Sequence, residues 1–101
     1  MDLGKTPYRL SKEAKQDLAR IYWHGYYQFG QTQAGRYLAA LLRRFGKISA
    51  SPFMYPSVDH IREGYRRSIC GVDSIFYRLN GDTVEIMRIL GRQEIWESDK
   101  T

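Results

Sequence analysis

The sequence predicts an α+β fold, with an N-terminal helical hairpin packed on one face of a small, mostly antiparallel three- to four-stranded sheet. Three observations predict it. Apolar residues recur at three- and four-residue steps between Ala14 and Ile48. Short β-branched and aromatic runs fill residues 65–90. Turn signals at Gly71 and Asn80-Gly81 divide those runs into an antiparallel meander.

The elements follow in order. Residues 1–6 read as a loose leader, and Tyr8-Arg9-Leu10 as a short edge strand. Ser11 stands where a helix N-cap belongs, with Glu13 in the first turn. Ala14, Leu18, Ile21, Tyr22, Gly25 and Phe29 then mark one face of an amphipathic helix that Gly30 stops. A second helix opens at Gln31, with Ala34, Tyr37, Leu38, Leu41, Leu42, Phe45 and Ile48 on its apolar face and Pro52 closing it. So short a junction folds the helices back on each other. Residues 52–61, with Pro52 and Pro56, read as a surface loop. Strands are expected near residues 65–70, 73–80 and 83–90. Simple alternation along the last strand puts Val84, Ile86, Arg88 and Leu90 on one side and Glu85, Met87 and Ile89 on the other. The helices cover one face of this sheet, and the other face is expected to be open.

All of this fits one domain spanning residues 1–101, with 91–101 as a tail. An apolar content of 43% supports a packed core and excludes a disordered chain. So short a chain has no room for a large enclosed cavity. No apolar run approaches the ~20 residues of a membrane span. Cys70 is the one cysteine, and no apolar leader precedes the fold, so a reducing cytoplasm is the expected location. A formal charge of +5 favours acidic partners without choosing among them.

Arginines carry the main chemical signal. Arg62, Arg66, Arg67, Arg78, Arg88 and Arg92 are set among the apolar residues of the strands. Guanidinium groups match carboxylates and phosphates through paired hydrogen bonds. They either receive an acidic partner or pair internally with Glu63, Asp73, Asp82 and Glu85. His24, His60 and Cys70 lack metal-ligand spacing, so no metal is expected. Tyr65, Tyr77, His60 and Glu94 are possible acid–base groups but form no recognisable set. Tyr22, Trp23, Tyr26, Tyr27 and Tyr37 are too many aromatics for one helix face, so some of them face outward as a docking patch. Trp96, in an acidic tail, is either a binding anchor or a cover for the sheet edge.

A family resemblance rests on pieces in order from Tyr8 to Leu90. The first helix has Ala14, Asp17-Leu18 and Ile21, and the helix junction has Phe29-Gly30, Gln33-Ala34, Tyr37-Leu38 and Leu41. Pro52, Ile61-Arg62, Gly64-Tyr65-Arg66, Gly71, Ile75-Phe76-Tyr77-Arg78, Glu85-Ile86 and Arg88-Ile89-Leu90 follow. In this order and spacing the chain resembles the ParE branch of the RelE/ParE toxins of bacterial type II toxin–antitoxin systems. The resemblance implies a toxin that inhibits DNA gyrase by binding, without catalysis or cofactor. It implies neutralisation by a ParD-like antitoxin and no direct DNA binding by the toxin alone. Arg62, Arg66, Arg78, Arg88, Arg92 and Trp96 would then meet the target or antitoxin. Tyr22, Tyr26, Leu42 and Phe45 would form a groove for an antitoxin helix. The chain departs from the pattern at Ser74 and Gly91, where many ParE-like chains have histidine. The tail lacks the tyrosine or histidine of RelE-type members, which cut mRNA on the ribosome. Such an endonuclease is the alternative reading, together with a degenerate toxin that retains only antitoxin binding.

Overall fold

Chain order in the computed structural model, which describes residues 8–91, is β1 (Tyr8–Leu10), α1 (Lys12–Phe29), α2 (Gln31–Ala50), β2 (Tyr65–Cys70), β3 (Asp73–Asn80) and β4 (Thr83–Gly91). The expected leader and the tail beyond Gly91 lie outside the described residues. The four strands form one sheet in the order β1-β4-β3-β2. Only the β1–β4 pair is parallel.

Local chemistry explains where the helices start and stop. Ser11 Oγ accepts the Ala14 N–H at 2.9 Å, satisfying one of the free donors at the start of α1. Gly30, at φ +94°, joins the helices alone, and its N–H closes on Tyr26 O at 2.9 Å. Ala14, Leu41, Phe45 and Ile48 turn inward with Ile75, Tyr77, Val84, Ile86 and Ile89 to form the main core. Phe45 meets Tyr8 edge-on at 5.4 Å.

The meander turns on Gly71-Val72 and Gly81-Asp82, with Cys70 paired to Asp73 and Asn80 to Thr83. Gly71 (φ +62°) and Gly81 (φ +63°) hold the first central position of each turn, as in type II′ hairpins. The Asn80-Gly81 signal therefore marks the turn one residue early, because Asn80 still belongs to β3.

Simple alternation fails along β4. Tyr77 pairs with Ile86, whereas its neighbour Phe76 pairs with Arg88, so Met87 is an extra residue and forms a β-bulge. Beyond the bulge the sides exchange. Ile89 joins Val84 and Ile86 in the main core, and Leu90 turns to the opposite face. That face is not fully open either. Val58 packs there with Tyr65, Phe76 and Leu90, and Ile61 and Met87 rest against them. The loop before β2 thus covers part of the face that the sequence leaves open.

β1 pairs with β4 only from Val84 to Ile86, which leaves the following edge of β4 without a strand. Groups at the start of α1 complete it. Ser11 N–H and Oγ donate to Ile86 O (2.9 Å) and Met87 O (2.8 Å). Asp17 Oδ2 accepts the Ile89 N–H at 2.9 Å, and Arg20 donates to Ile89 O at 3.0 Å. Side chains here satisfy backbone groups that would otherwise template pairing with another chain.

Candidate functional site

The strand arginines do not share one surface. Arg78 and Arg88 leave from the face opposite the helices, and Arg66, opposite Tyr77, leaves from the helix side. Arg88 reaches Asp17 on α1 with two bonds, Nε to Oδ2 at 2.8 Å and Nη2 to Oδ1 at 3.1 Å. Asp17 is buried, so Arg88 is an internal clamp of helix to sheet. Asp17 is not among the internal partners expected from the sequence; of those, Glu85 bonds Arg78 (2.8 Å) and Arg9 (3.0 Å). The Arg78 and Asn80 hydrogen bonds hold the Glu85 carboxyl below the usual carboxylate range. Arg66 Nη1 donates to Tyr55 O at 2.6 Å. Arg62 sits in the loop before β2, its N–H on Val58 O at 3.0 Å. Arg92 and Trp96 lie outside the described residues.

An exposed aromatic ladder runs along the second half of α1. Successive ring pairs Tyr22–Trp23, Trp23–Tyr26 and Tyr26–Tyr27 are 5.1, 5.3 and 5.3 Å apart, all edge-on. Trp23 is 50% and Tyr27 80% exposed, with Phe29 at 67% just beyond them. Four rings in six residues is the geometry expected for the outward part of the aromatic-rich helix. Tyr22 and Tyr26 belong to this ladder, and Leu42 is exposed on α2. Phe45 does not join them. It is fully buried in the main core, because it falls on the inner stripe of α2 with Leu41 and Ile48. The apolar period could not separate it from Leu42 at the margin of that stripe.

A second surface was not singled out from the sequence. Arg44 on α2 donates to Ile69 O (2.6 Å) and Ser68 Oγ (3.0 Å) at the edge of β2, and lies 6.0 Å over the Tyr55 ring. Arg66 flanks the same tyrosine and stacks over the Phe53 ring at 5.0 Å. Among the described residues both guanidinium groups hydrogen-bond neutral acceptors and lie against rings, and Arg66 is also within electrostatic reach of Asp59. A sequence signal for it exists: residues 31–58 contain Arg36, Arg43, Arg44 and Lys47 and not one Asp or Glu.

The acid–base candidates do not converge. Tyr77 is fully buried and donates to Pro52 O at 2.5 Å, and burial pushes its pKa up to about 12. Tyr37 Oη lies 2.6 Å from Asp73 Oδ2 and 3.0 Å from Cys70 O, and burial followed by Asp73 raises it further. Tyr65 is buried in the second cluster, and Glu94 lies outside the described residues. No metal-binding cluster occurs among the described residues, and no helix among them is long and apolar enough to cross a membrane.

Comparison with known proteins adds to this geometry. Residues 8–96 match the family described as ParE toxin of type II toxin-antitoxin system, parDE. Toxin ParE1 of Caulobacter vibrioides is 39% identical over 84 residues, covering 83% of this chain and 86% of the relative. Toxin ParE1 of Mycobacterium tuberculosis is 34% identical over 84 residues, covering 82% and 86%. Among solved structures, a chain of the chromosomal ParDE TA system from P. aeruginosa superposes with a TM-score of 0.72 at 20% identity. That match covers 83% of this chain and 92% of the other.

Proposed function

We propose that this chain, which belongs to the ParE toxin family of type II toxin–antitoxin systems, arrests growth by binding DNA gyrase and is held off by a ParD-like antitoxin. The observation that carries the antitoxin reading is the ladder Tyr22–Trp23–Tyr26–Tyr27 on α1, four contiguous rings of which Trp23, Tyr26 and Tyr27 are exposed and Tyr22 is half-buried. Rings with polar edges, grouped on one rigid helix, are suited to anchor an amphipathic helix. Leu42 extends the exposed apolar character to α2. The similar P. aeruginosa chain comes from a ParDE system, which supports a ParD-type partner. Gyrase as the target rests on family membership, and cytoplasmic action follows from such a target.

Action by binding, without catalysis, is supported by the way the polar groups are used. Ribonuclease chemistry needs an acid, a base and a cation around one phosphate. Here Tyr77 is a buried phenol and Tyr37 a half-buried one, both with raised pKa and bonded to the fold itself. Arg78 and Arg88 hold Glu85 and Asp17. The test is induction of the toxin alone in growing cells, with transcript ends and chromosome breaks mapped in the same samples. Broken chromosomes with intact transcripts are expected. Transcripts cut in ribosome-bound codons with intact chromosomes would replace this reading by the endonuclease. Unimpaired growth at confirmed expression would replace it by a degenerate toxin.

A further inference from the structure

We propose that the surface formed by α2 and the loop after it binds a single-stranded nucleic acid, with phosphates on Arg44, Lys47 and Arg66 and a base stacked on Phe53. This goes beyond the gyrase reading and does not depend on it. It also departs from the expectation of no direct DNA binding.

Charge is the first ground. α2, the loop to Val58 and β2 together hold six basic residues and no acidic one: Arg36, Arg43, Arg44, Lys47, Arg66 and Arg67. The rest of the chain has ten basic and eleven acidic residues, so the whole +5 excess originates in this part of the fold. Arg67, opposite Phe76, leaves from the other face of the sheet, and Asp59 is near Arg66, but the basic excess that remains around Arg44, Lys47 and Arg66 attracts a polyanion. Lys47 lies one turn after Arg44 on α2, close to where the chain enters the loop.

Pre-organisation is the second ground. Arg44 is fixed by Ile69 O and Ser68 Oγ, and Arg66 by Tyr55 O. Each uses one terminal nitrogen for these bonds and keeps further N–H groups for a ligand. Among the described residues neither guanidinium hydrogen-bonds a carboxylate, although Arg66 is near enough to Asp59 to help lower that carboxyl's pKa. Tyr55, between them, is held edge-on against buried Tyr77 at 6.4 Å, and Tyr77 in turn bonds Pro52 O. The loop that presents the cations is therefore pinned to the core.

The third ground is the ring. Phe53 is 69% exposed, although Arg66 stacks over it at 5.0 Å. An open ring backed by a guanidinium is the arrangement on which unpaired bases stack. Met54, 64% exposed, widens the apolar platform. An extended acidic peptide fits less well. It would add to the β2 edge, but Pro56 O and the Val58 N–H already occupy that edge at Arg67 and Tyr65.

Fluorescence anisotropy of the full chain with fluorescein-labelled dT12 or U12 tests the proposal. Either strand is expected to bind, with a log–log salt slope of about −2 for three phosphates. That slope corresponds to a roughly fifteen-fold loss between 50 and 200 mM salt. Arg44→Gln with Arg66→Gln should reduce binding at least ten-fold and flatten the slope toward that of one phosphate. These arginines also hold the loop, so Phe53→Ala is the second variant; its side chain is exposed and the fold does not need it. It should weaken binding about five-fold or more with the salt slope unchanged. Absence of binding to both strands at 100 μM protein in 50 mM salt overturns the proposal. Phe53→Ala binding as tightly as the parent overturns it as well. Equal displacement by a twelve-residue polyglutamate would assign the surface to an acidic protein segment instead.

Discussion

Arg88→Ala separates a structural arginine from a target-binding one. The guanidinium holds both oxygens of Asp17, whose side chain is 6% exposed, while Arg88 itself is 29% exposed. Removing one partner of a buried pair costs about 3–5 kcal/mol, because the remaining charge loses its compensation. Here Asp17 keeps the Ile89 N–H at 2.9 Å and Arg20 at 3.3 Å, and Arg88 is partly solvated. The expected cost is therefore lower, about 2–3 kcal/mol. For a domain of this size that lowers Tm by at least about 8 °C. Arg78→Ala is the control, since its pair with Glu85 is 45% exposed on the arginine side. It should cost under about 1 kcal/mol. Urea unfolding followed by far-UV circular dichroism reads both. Asp17→Ala combined with Arg88→Ala should cost less than the two separate changes by at least about 1 kcal/mol. An Arg88→Ala midpoint indistinguishable from that of Arg78→Ala, or strictly additive costs, would refute the clamp.

Three further outcomes follow from the same structure. A Cβ on Gly71 would lie 2.6 Å from Tyr37 Cε1, on a backbone at φ +62°, and Tyr37 is tied to Asp73; Gly71→Ala should cost about 2–4 kcal/mol in urea unfolding, from backbone strain and the displaced ring. Tyr77 has its pKa raised from 10.0 to about 12, so the unfolded chain loses that proton first; its contribution is complete below pH 10 and disappears as pH rises through 12, and Tyr77→Phe should flatten the pH dependence of stability in that window. Trp23→Ala and Tyr27→Ala remove exposed rings, so stability should change little while antitoxin affinity, read by titration calorimetry, falls by about 2 kcal/mol or more for at least one of them.

Local signals in the sequence were enough for the element order. Ser11 is a real cap, Gly30 a one-residue junction, and Gly71 and Gly81 the turn glycines. Each acts within a few residues, so its neighbours in sequence reveal it. The bulge at Met87 has no such signature, since Arg88 and Ile89 would suit either face until the pairing with Phe76 and Ile75 fixes them. Asp17 lies 71 residues from Arg88, and nothing local announces that one helix carboxylate compensates one strand guanidinium. Asp17 was visible only as part of a family-like run. The cover of Val58 and Ile61 over the second sheet face was hidden for a related reason, because a proline-containing loop does not show which way it folds. Of the site residues, Tyr26 and Leu42 are exposed, Tyr22 is half-buried and Phe45 is in the core; what separates Leu42 from Phe45 is one helical step, which depends on how α2 is rotated against the sheet.

Binding to gyrase is the action proposed for this fold. The most direct test adds the purified toxin to a gyrase supercoiling reaction, with and without its antitoxin in equal amount. Supercoiling should be inhibited and cleaved DNA should accumulate at micromolar toxin, with relief by the antitoxin and the effect retained by Arg78→Ala. Unchanged supercoiling and no cleaved DNA, from toxin that still binds the antitoxin, would contradict it.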